Sequence, residues 1–493
     1  MIQAVLDNLK GDKEDESLYN ASRRFLLHDF NELQNYGKTA YKPEIIIKII
    51  KSETKRLRHL YFIHNFLRLT DKLLRTDTEN IIRYSEMYTE AIRYYRYTSL
   101  RDKGIIRQKR EIRKFKRYLR SSFTNFRNIS CKNINIRNSG EAKVNESFLD
   151  PERLAEMCSD MAGISIDEIT LIKSETDDFI SKCPENYLKK GLFAKYIGLM
   201  FGVVKYGYDT DKGNFRQNII LGSCYGITYL FDEIIDDPAY TSEHKEDYYR
   251  NISKILISSR GDEITYSGDP LIAFTENALI KMRDELPEDR WMMAAKAYSV
   301  IADASFKGSE WIYGEILSDE ELYVNSALKG AYTRIIPAIL SGYTISDQFL
   351  AHTLRSGYIF QLPDDLRDIP DDISNGNITA FNYYRYGANP LNHHPLKILI
   401  LAISRASFMD FPEIKDAGSL YMSCIFQSLK ALQAKDAAKN LCDIFLEMNF
   451  PDNEISRRLS PAGQYYDIIN DFETEIAGKC THISLDMKKN QMD

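Results

Sequence analysis

The sequence predicts an all-α fold with a basic helical extension at its N-terminus. Three observations carry that expectation. Apolar residues recur at steps of three and four along most of the chain, which is the spacing that puts them on one face of a helix. No run alternates apolar and polar residues as a half-buried strand does. The composition, 44% hydrophobic with 24 Gly and 14 Pro in 493 residues, excludes collagen-like, disordered and small disulfide-stapled chains and allows a sizeable core.

Taken in order, residues 20–120 read as several helices, with apolar positions at Ile45 and Ile49, at Leu57, Leu60, Phe62 and Phe66, and at Ile82, Tyr88 and Ile92. The stretch 93–120, RYYRYTSLRDKGIIRQKREIRKFKRYLR, is strongly basic and rich in tyrosine. Such a segment is a solvated helix face or a patch facing RNA or an anionic membrane surface. Residues 121–149 are rich in Asn and Ser and lack periodicity, which makes them a linker. The expected organisation is therefore a basic helical module over 1–120, the linker 121–149, a helical body over 150–480 and a polar tail over 481–493.

Charge follows the same division. Residues 1–150 carry 31 Lys+Arg against 19 Asp+Glu, whereas the whole chain carries 65 against 71, so a basic module precedes an acidic body. The seven cysteines are scattered without a CxxC pair, as expected of reduced thiols in the cytoplasm. The apolar stretch Ile197 to Val204 is bounded by Lys195 and Lys205 and is too short to span a bilayer. Asp7, Asp12, Glu14, Asp15 and Glu16 are unlike the basic start of a signal peptide. A cytoplasmic protein, with peripheral membrane attachment through 93–120 as the variant, is the expectation.

Two acidic clusters stand out. Asp232, Glu233 and Asp236 follow the apolar stretch from Ile219 to Leu230, and Asp364, Asp365 and Asp368 follow Phe360-Gln361. Each places acidic residues at i, i+1 and i+4, so on a helix the first and last share a face. One such match in a chain of this acidity occurs by chance; two, each directly behind aromatic and apolar residues, point to carboxylates facing a cavity. Divalent ions would relieve their repulsion. Magnesium suits the pattern, because it takes few carboxylates and completes its octahedron with water and phosphate oxygens. His393 and His394 are adjacent, point apart on a helix and are followed by Pro395, so they do not read as metal ligands.

The second cluster, Phe360-Gln361-x-x-Asp364-Asp365-x-x-Asp368, resembles the FQxxDDxxD signature of trans-isoprenyl diphosphate synthases. Asp232-Glu233-x-x-Asp236 resembles their first aspartate-rich motif with Glu in its second position. Gly268-Asp269-Pro270-Leu271, Lys329-Gly330 and the stretch Asp372 to Thr379 resemble further landmarks in the family's order. The resemblance spans about residues 180–450. It implies the class I isoprenoid synthase fold, a helical bundle around a central apolar cavity. It also implies three magnesium ions held by Asp232, Asp236, Asp364 and Asp368, with Glu233 and Asp365 supporting them and Lys329, Arg334 and Gln361 binding diphosphate. Leu221, Cys224, Tyr225 and Thr228, upstream on the helix of the first motif, would line the pocket together with Phe360. The small Thr228 and Cys224 leave room for a prenyl chain of fifteen or more carbons.

The departures from the family pattern sharpen the expected reaction. The upstream GKxxRP segment is reduced to Lys189-Lys190-Gly191 without a matching Arg, and Thr241 to Lys245 reads TSEHK where an Arg pair would follow the first motif. A donor site stripped of cations holds isopentenyl diphosphate weakly. The expected reaction is therefore ionisation of an allylic prenyl diphosphate followed by cyclisation or rearrangement. Chain elongation with isopentenyl diphosphate is the alternative, using Lys189, Lys190, Lys195 or Lys245. A squalene- or phytoene-synthase-like condensation is another, since Asp232 to Asp236 also fits DxxxD and Leu366-Arg367-Asp368 opens an LRDxxxD. A last alternative, from another class, is a non-catalytic RNA- or membrane-binding adaptor of the same fold. A homodimer is an open alternative for the assembly.

Overall fold

The computed structural model describes residues 1–11, 16–41, 166–183, 214–237, 239–264, 267–389 and 391–406, with some positions between 195 and 207. The basic stretch 93–120, the linker 121–149, the segment 189–191 and the tail 481–493 lie outside the described residues. Every regular element among the described residues is an α-helix. By internal contacts the chain forms two compact units, one of residues Met1–Thr54 and Lys195–Gln464 and one of residues Lys55–Ala194 and Tyr465–Asp493. Among the described residues no helix is long and apolar enough to cross a membrane.

The first unit begins with α1 (Ile2–Lys10) and α2 (Leu18–Thr39). Gly11 closes α1 in the left-handed conformation, and the Ser17 hydroxyl accepts from the Asn20 amide to start α2. In the second unit the described helix is α3 (Ile166–Lys182), which buries Ile172, Thr176 and Phe179. The first unit continues with α4 (Phe215–Thr228), α5 (Leu230–Asp236), α6 (Ser242–Leu256), α7 (Pro270–Glu285) and α8 (Glu288–Glu310). It is completed by α9 (Asp319–Leu340), α10 (Asp347–Arg355), α11 (Gly357–Arg367), α12 (Ile369–Asn375), α13 (Ala380–Tyr386) and α14 (Pro395–Ala406).

Helix α9 is the axis of this unit. A capping box of Ser318 and Glu321 starts it, and from Leu322 onward it is buried on nearly every side, as expected of a helix apolar all round. It packs on α8, α11, α2, α10 and α4. Its crossing with α11 is built on glycine. A Cβ at Gly357 would lie 2.8 Å from the Ala327 carbonyl carbon and closer still to its oxygen, and one at Gly330 would lie 3.0 Å from the Gln361 amide nitrogen. Backbone therefore meets backbone at this point, which sets Lys329 of α9 beside the turn of α11 that carries Gln361 and Asp365. Pro363 sits inside α11 without ending it.

The described residues of 1–41 are packed within the first unit. Helices α1 and α2 pack on α8, α9, α10 and α14 and share their core. The Ser22 and Tyr332 hydroxyls bond at 2.6 Å, and Lys296 donates to the Asn8 carbonyl at 3.1 Å. Asp29, 1% exposed, accepts from Arg355 Nε at 3.0 Å and from Arg405 Nη2 at 2.6 Å. The reason is physical: the apolar face of α2 (Leu18, Phe25, Leu26, Phe30, Leu33) is buried, and its Asp29 is the counter-ion that two arginines of the body require.

Candidate active site

Helices α4 and α5 are one apolar stretch interrupted at Tyr229. The Asp232 amide donates to the Tyr229 carbonyl at 3.2 Å, a tight turn that re-aims the chain just before the first acidic motif. Beside α4 runs the helical segment that holds Lys195 and Tyr196. A Cβ at Gly226 would fall 2.6 Å from the Tyr196 ring, so the small residue lets this segment approach and delivers Lys195 to the motif. Lys195 Nζ lies 3.1 Å from Glu233 Oε1 and 5.2 Å from the centroid of the Tyr229 ring.

Asp232 accepts from Ser305 Oγ of α8 at 3.2 Å and pairs with Lys329 Nζ of α9 at 3.4 Å. Burial works to raise the pKa of Asp232, but the fields of Lys329 and Lys195 and the bonds from Lys329 and Ser305 outweigh it and hold the carboxyl below its ordinary value. Asp236 closes α5; its side chain lies outside the described set.

The second motif is split by environment. Asp365 is buried and accepts from Gln361 Nε2 at 2.8 Å and from Ser326 Oγ at 3.1 Å. Burial pushes its pKa up to about 7; the Gln361 bond, the Lys329 field and the Ser326 bond oppose this, and the neighbouring Asp364 adds to it. At neutral pH this carboxyl is therefore poised between its charged and neutral forms. Asp364 is half-buried on α11, and Asp368 is the residue where α11 passes into α12, its amide donating to the Asp364 carbonyl at 3.0 Å. The two stand at i and i+4.

The two motifs come together at Tyr229. Burial is the main cause that lifts the pKa of its hydroxyl well above the ordinary value; Lys195 opposes this, and Asp364, Asp232 and Glu233 reinforce it. One hydroxyl thus feels carboxylates of both motifs. Lys329 joins them from the other side, paired with Asp232 and acting on Asp365.

Tyr229, Asp232, Lys329 and Gln361 also line a hollow whose deeper wall is aromatic and aliphatic: Tyr225, Thr228, Phe231, Tyr248, Ile252, Leu279, Tyr298, Ile301 and Ala302. Its volume is about 60 Å³. That is room for a few waters and far below the several hundred Å³ of a typical ligand pocket. Tyrosine rings fill it. The Tyr225 hydroxyl donates to the Thr333 carbonyl at 2.8 Å, and Tyr298 and Thr228 hydroxyls bond at 3.0 Å. In this conformation the hollow does not admit a fifteen-carbon chain.

Of the residues singled out from sequence, Asp232, Lys329, Gln361, Tyr225 and Thr228 line this hollow, while Glu233 is tied to Lys195 and Asp365 to Gln361. Leu221 and Cys224 are buried in α4 one turn upstream of Tyr225 and Thr228, and do not line it. Phe360 does not line it either; its ring carries the Arg334 guanidinium, 4.7 Å from the centroid. Arg334 lies five residues beyond Lys329 on α9, on another face, and its Nε is buried without a hydrogen-bond partner. Its field reaches Tyr225 in the deeper wall. Sequence reasoning passed over Ser305 and Ser326, small polar residues among alanines on buried helices. It also left Lys195 as a donor-site cation, although a lone Lys inside LFAKYIGLM was the available signal.

Among the described residues, no group of three His, Cys, Asp or Glu side chains lies close enough to hold a metal ion. No protein-family model, curated protein or solved structure matches the chain.

Proposed function

We propose that this site ionises an allylic isoprenyl diphosphate and that the resulting cation cyclises, rearranges or is quenched in the adjoining hollow, on a class I isoprenoid synthase-like helical bundle. The single observation that carries the reading is the meeting of both acidic motifs at Tyr229 and Lys329, on the rim of a hollow walled by tyrosine and aliphatic side chains. The hard oxygen donors of Asp364 and Asp368, one turn apart, fit magnesium, which takes one or two carboxylates and completes its shell with water and phosphate. Asp232 and Glu233 each meet a lysine, Lys329 at 3.4 Å and Lys195 at 3.1 Å. Bound magnesium would supply Lewis-acid stabilisation of the charge that develops on the leaving diphosphate.

The chain's own residues account for the rest. Lys329 and Gln361 present N–H donors at the rim and orient the diphosphate; Lys329 stabilises the oxygen that receives the electron pair of the breaking C–O bond. The rings of Tyr225, Tyr229 and Tyr298 exclude water and offer their faces to the allylic cation, each worth about 0.5–2 kcal/mol. Admission of the chain requires these rings to swing aside, an opening step of the kind that gates many enzymes. The reaction ends by loss of a proton or capture of water.

The test is incubation with farnesyl or geranylgeranyl diphosphate and Mg²⁺, with and without isopentenyl diphosphate. Hydrocarbon or alcohol and free diphosphate are expected without the donor. Longer diphosphates formed only with the donor would transfer the assignment to chain elongation, and no turnover in either mixture refutes it.

A further inference from the structure

Two carboxylates of the first acidic helix, Asp232 and Glu233, are paired by the chain itself. Lys195 stands 3.1 Å from Glu233 and Lys329 stands 3.4 Å from Asp232, so two carboxylates meet two ammonium groups. The cations come from different elements, the helical segment packed on Gly226 and the central α9, and converge on a single turn of α5. The ammonium side chains are 33% and 21% exposed, against 19% for Glu233 and 27% for Asp232, so all four groups remain open to solvent, and Asp232 and Lys329 line the hollow. Lys195 also covers the Tyr229 ring.

We propose that the anionic phosphate head group of the ligand is bound directly by this ammonium pair, and that Asp232 and Glu233 recruit no divalent ion of their own. The inference rests on the reading of the site as a diphosphate site and revises its cation count downward from three. An ammonium carries three N–H donors and can bridge a carboxylate and a phosphate oxygen at once. A divalent ion placed on Asp232 and Glu233 would have to shed water, which magnesium does reluctantly, and would stand beside two like charges. The carboxylates therefore orient the lysines, and the lysines hold the anion.

The experiment uses the full chain in two titrations. In the first, calorimetry follows inorganic diphosphate binding in the presence of EDTA. Binding without metal is expected, weakened at least about tenfold in Lys195→Met and in Lys329→Met and retained within about threefold in Lys195→Arg; an unchanged melting temperature shows that each variant is folded. In the second, electron paramagnetic resonance counts bound Mn²⁺, and Asp232→Asn leaves that count as in the unmodified chain. Diphosphate binding that appears only when Mg²⁺ is added overturns the proposal and leaves the proposed function standing, as does a lower Mn²⁺ count in Asp232→Asn. Absence of diphosphate binding under both conditions overturns the two together.

Discussion

Replacing Asp365 by Asn should stabilise the protein, and by an amount that depends on pH. The carboxyl is 7% exposed and its pKa is raised from the ordinary 3.8 to about 7. Between these values the unfolded chain releases a proton that the folded protein keeps, so stability falls as pH rises from about 4 to about 7 and is level above that. The gap corresponds to about 4 kcal/mol at pH 8 and about 2 kcal/mol at pH 5. Asn keeps both partners, accepting from Gln361 through its oxygen and donating to Ser326 through its nitrogen, and has no charge to desolvate. The advantage of Asp365→Asn should therefore grow from about 2 to about 4 kcal/mol between the two pH values. Urea unfolding in EDTA measures it, with tryptophan fluorescence as the probe, because Trp291 and Trp311 both belong to this unit and are buried. A variant less stable than the parent at pH 8, or an advantage equal at both pH values, would show that the carboxyl is not the strained group described.

Three further outcomes follow from particular contacts. Lys329→Met should lower turnover of an allylic diphosphate by about a hundredfold or more while changing urea stability by less than about 1 kcal/mol, because its pair with Asp232 is partly exposed; parallel losses in both would mark it as structural. Gly357→Ala should destabilise by about 2 kcal/mol net, the overpacking against Ala327 exceeding the gain of about 1 kcal/mol in helix propensity, and a neutral result in urea would mean that α9 and α11 separate easily. Asp29→Ala should cost about 3–5 kcal/mol by leaving Arg355 and Arg405 without their buried counter-ion, and a loss below about 1 kcal/mol in the same assay would show that residues 1–41 contribute little to the body.

The helical class was legible because the period of apolar residues is a local property, and so were the two acidic motifs, whose i and i+4 carboxylates needed only a helix to share a face. Tyr225 and Thr228, expected at a pocket from the resemblance and the helical spacing together, line the hollow. Leu221 and Cys224 share their helix face one turn further upstream, where the side chains are packed in the core and the hollow does not extend. Sequence reasoning grouped Arg334 with Lys329, although five residues on a helix separate two side chains by well over a third of a turn.

Sequence alone determined which residues carry charge, which faces are apolar and where carboxylates repeat, because these depend on neighbours a few positions away. Only the tertiary structure decided what neutralises them: Lys195 reaches Glu233 past Gly226, Lys329 reaches Asp232 and Asp365 through the glycine crossing of α9 and α11, and α2 brings Asp29 to two distant arginines. The physical reason is that a pKa or an ion pair responds to distance in space and to burial, and neither is encoded by separation along the chain.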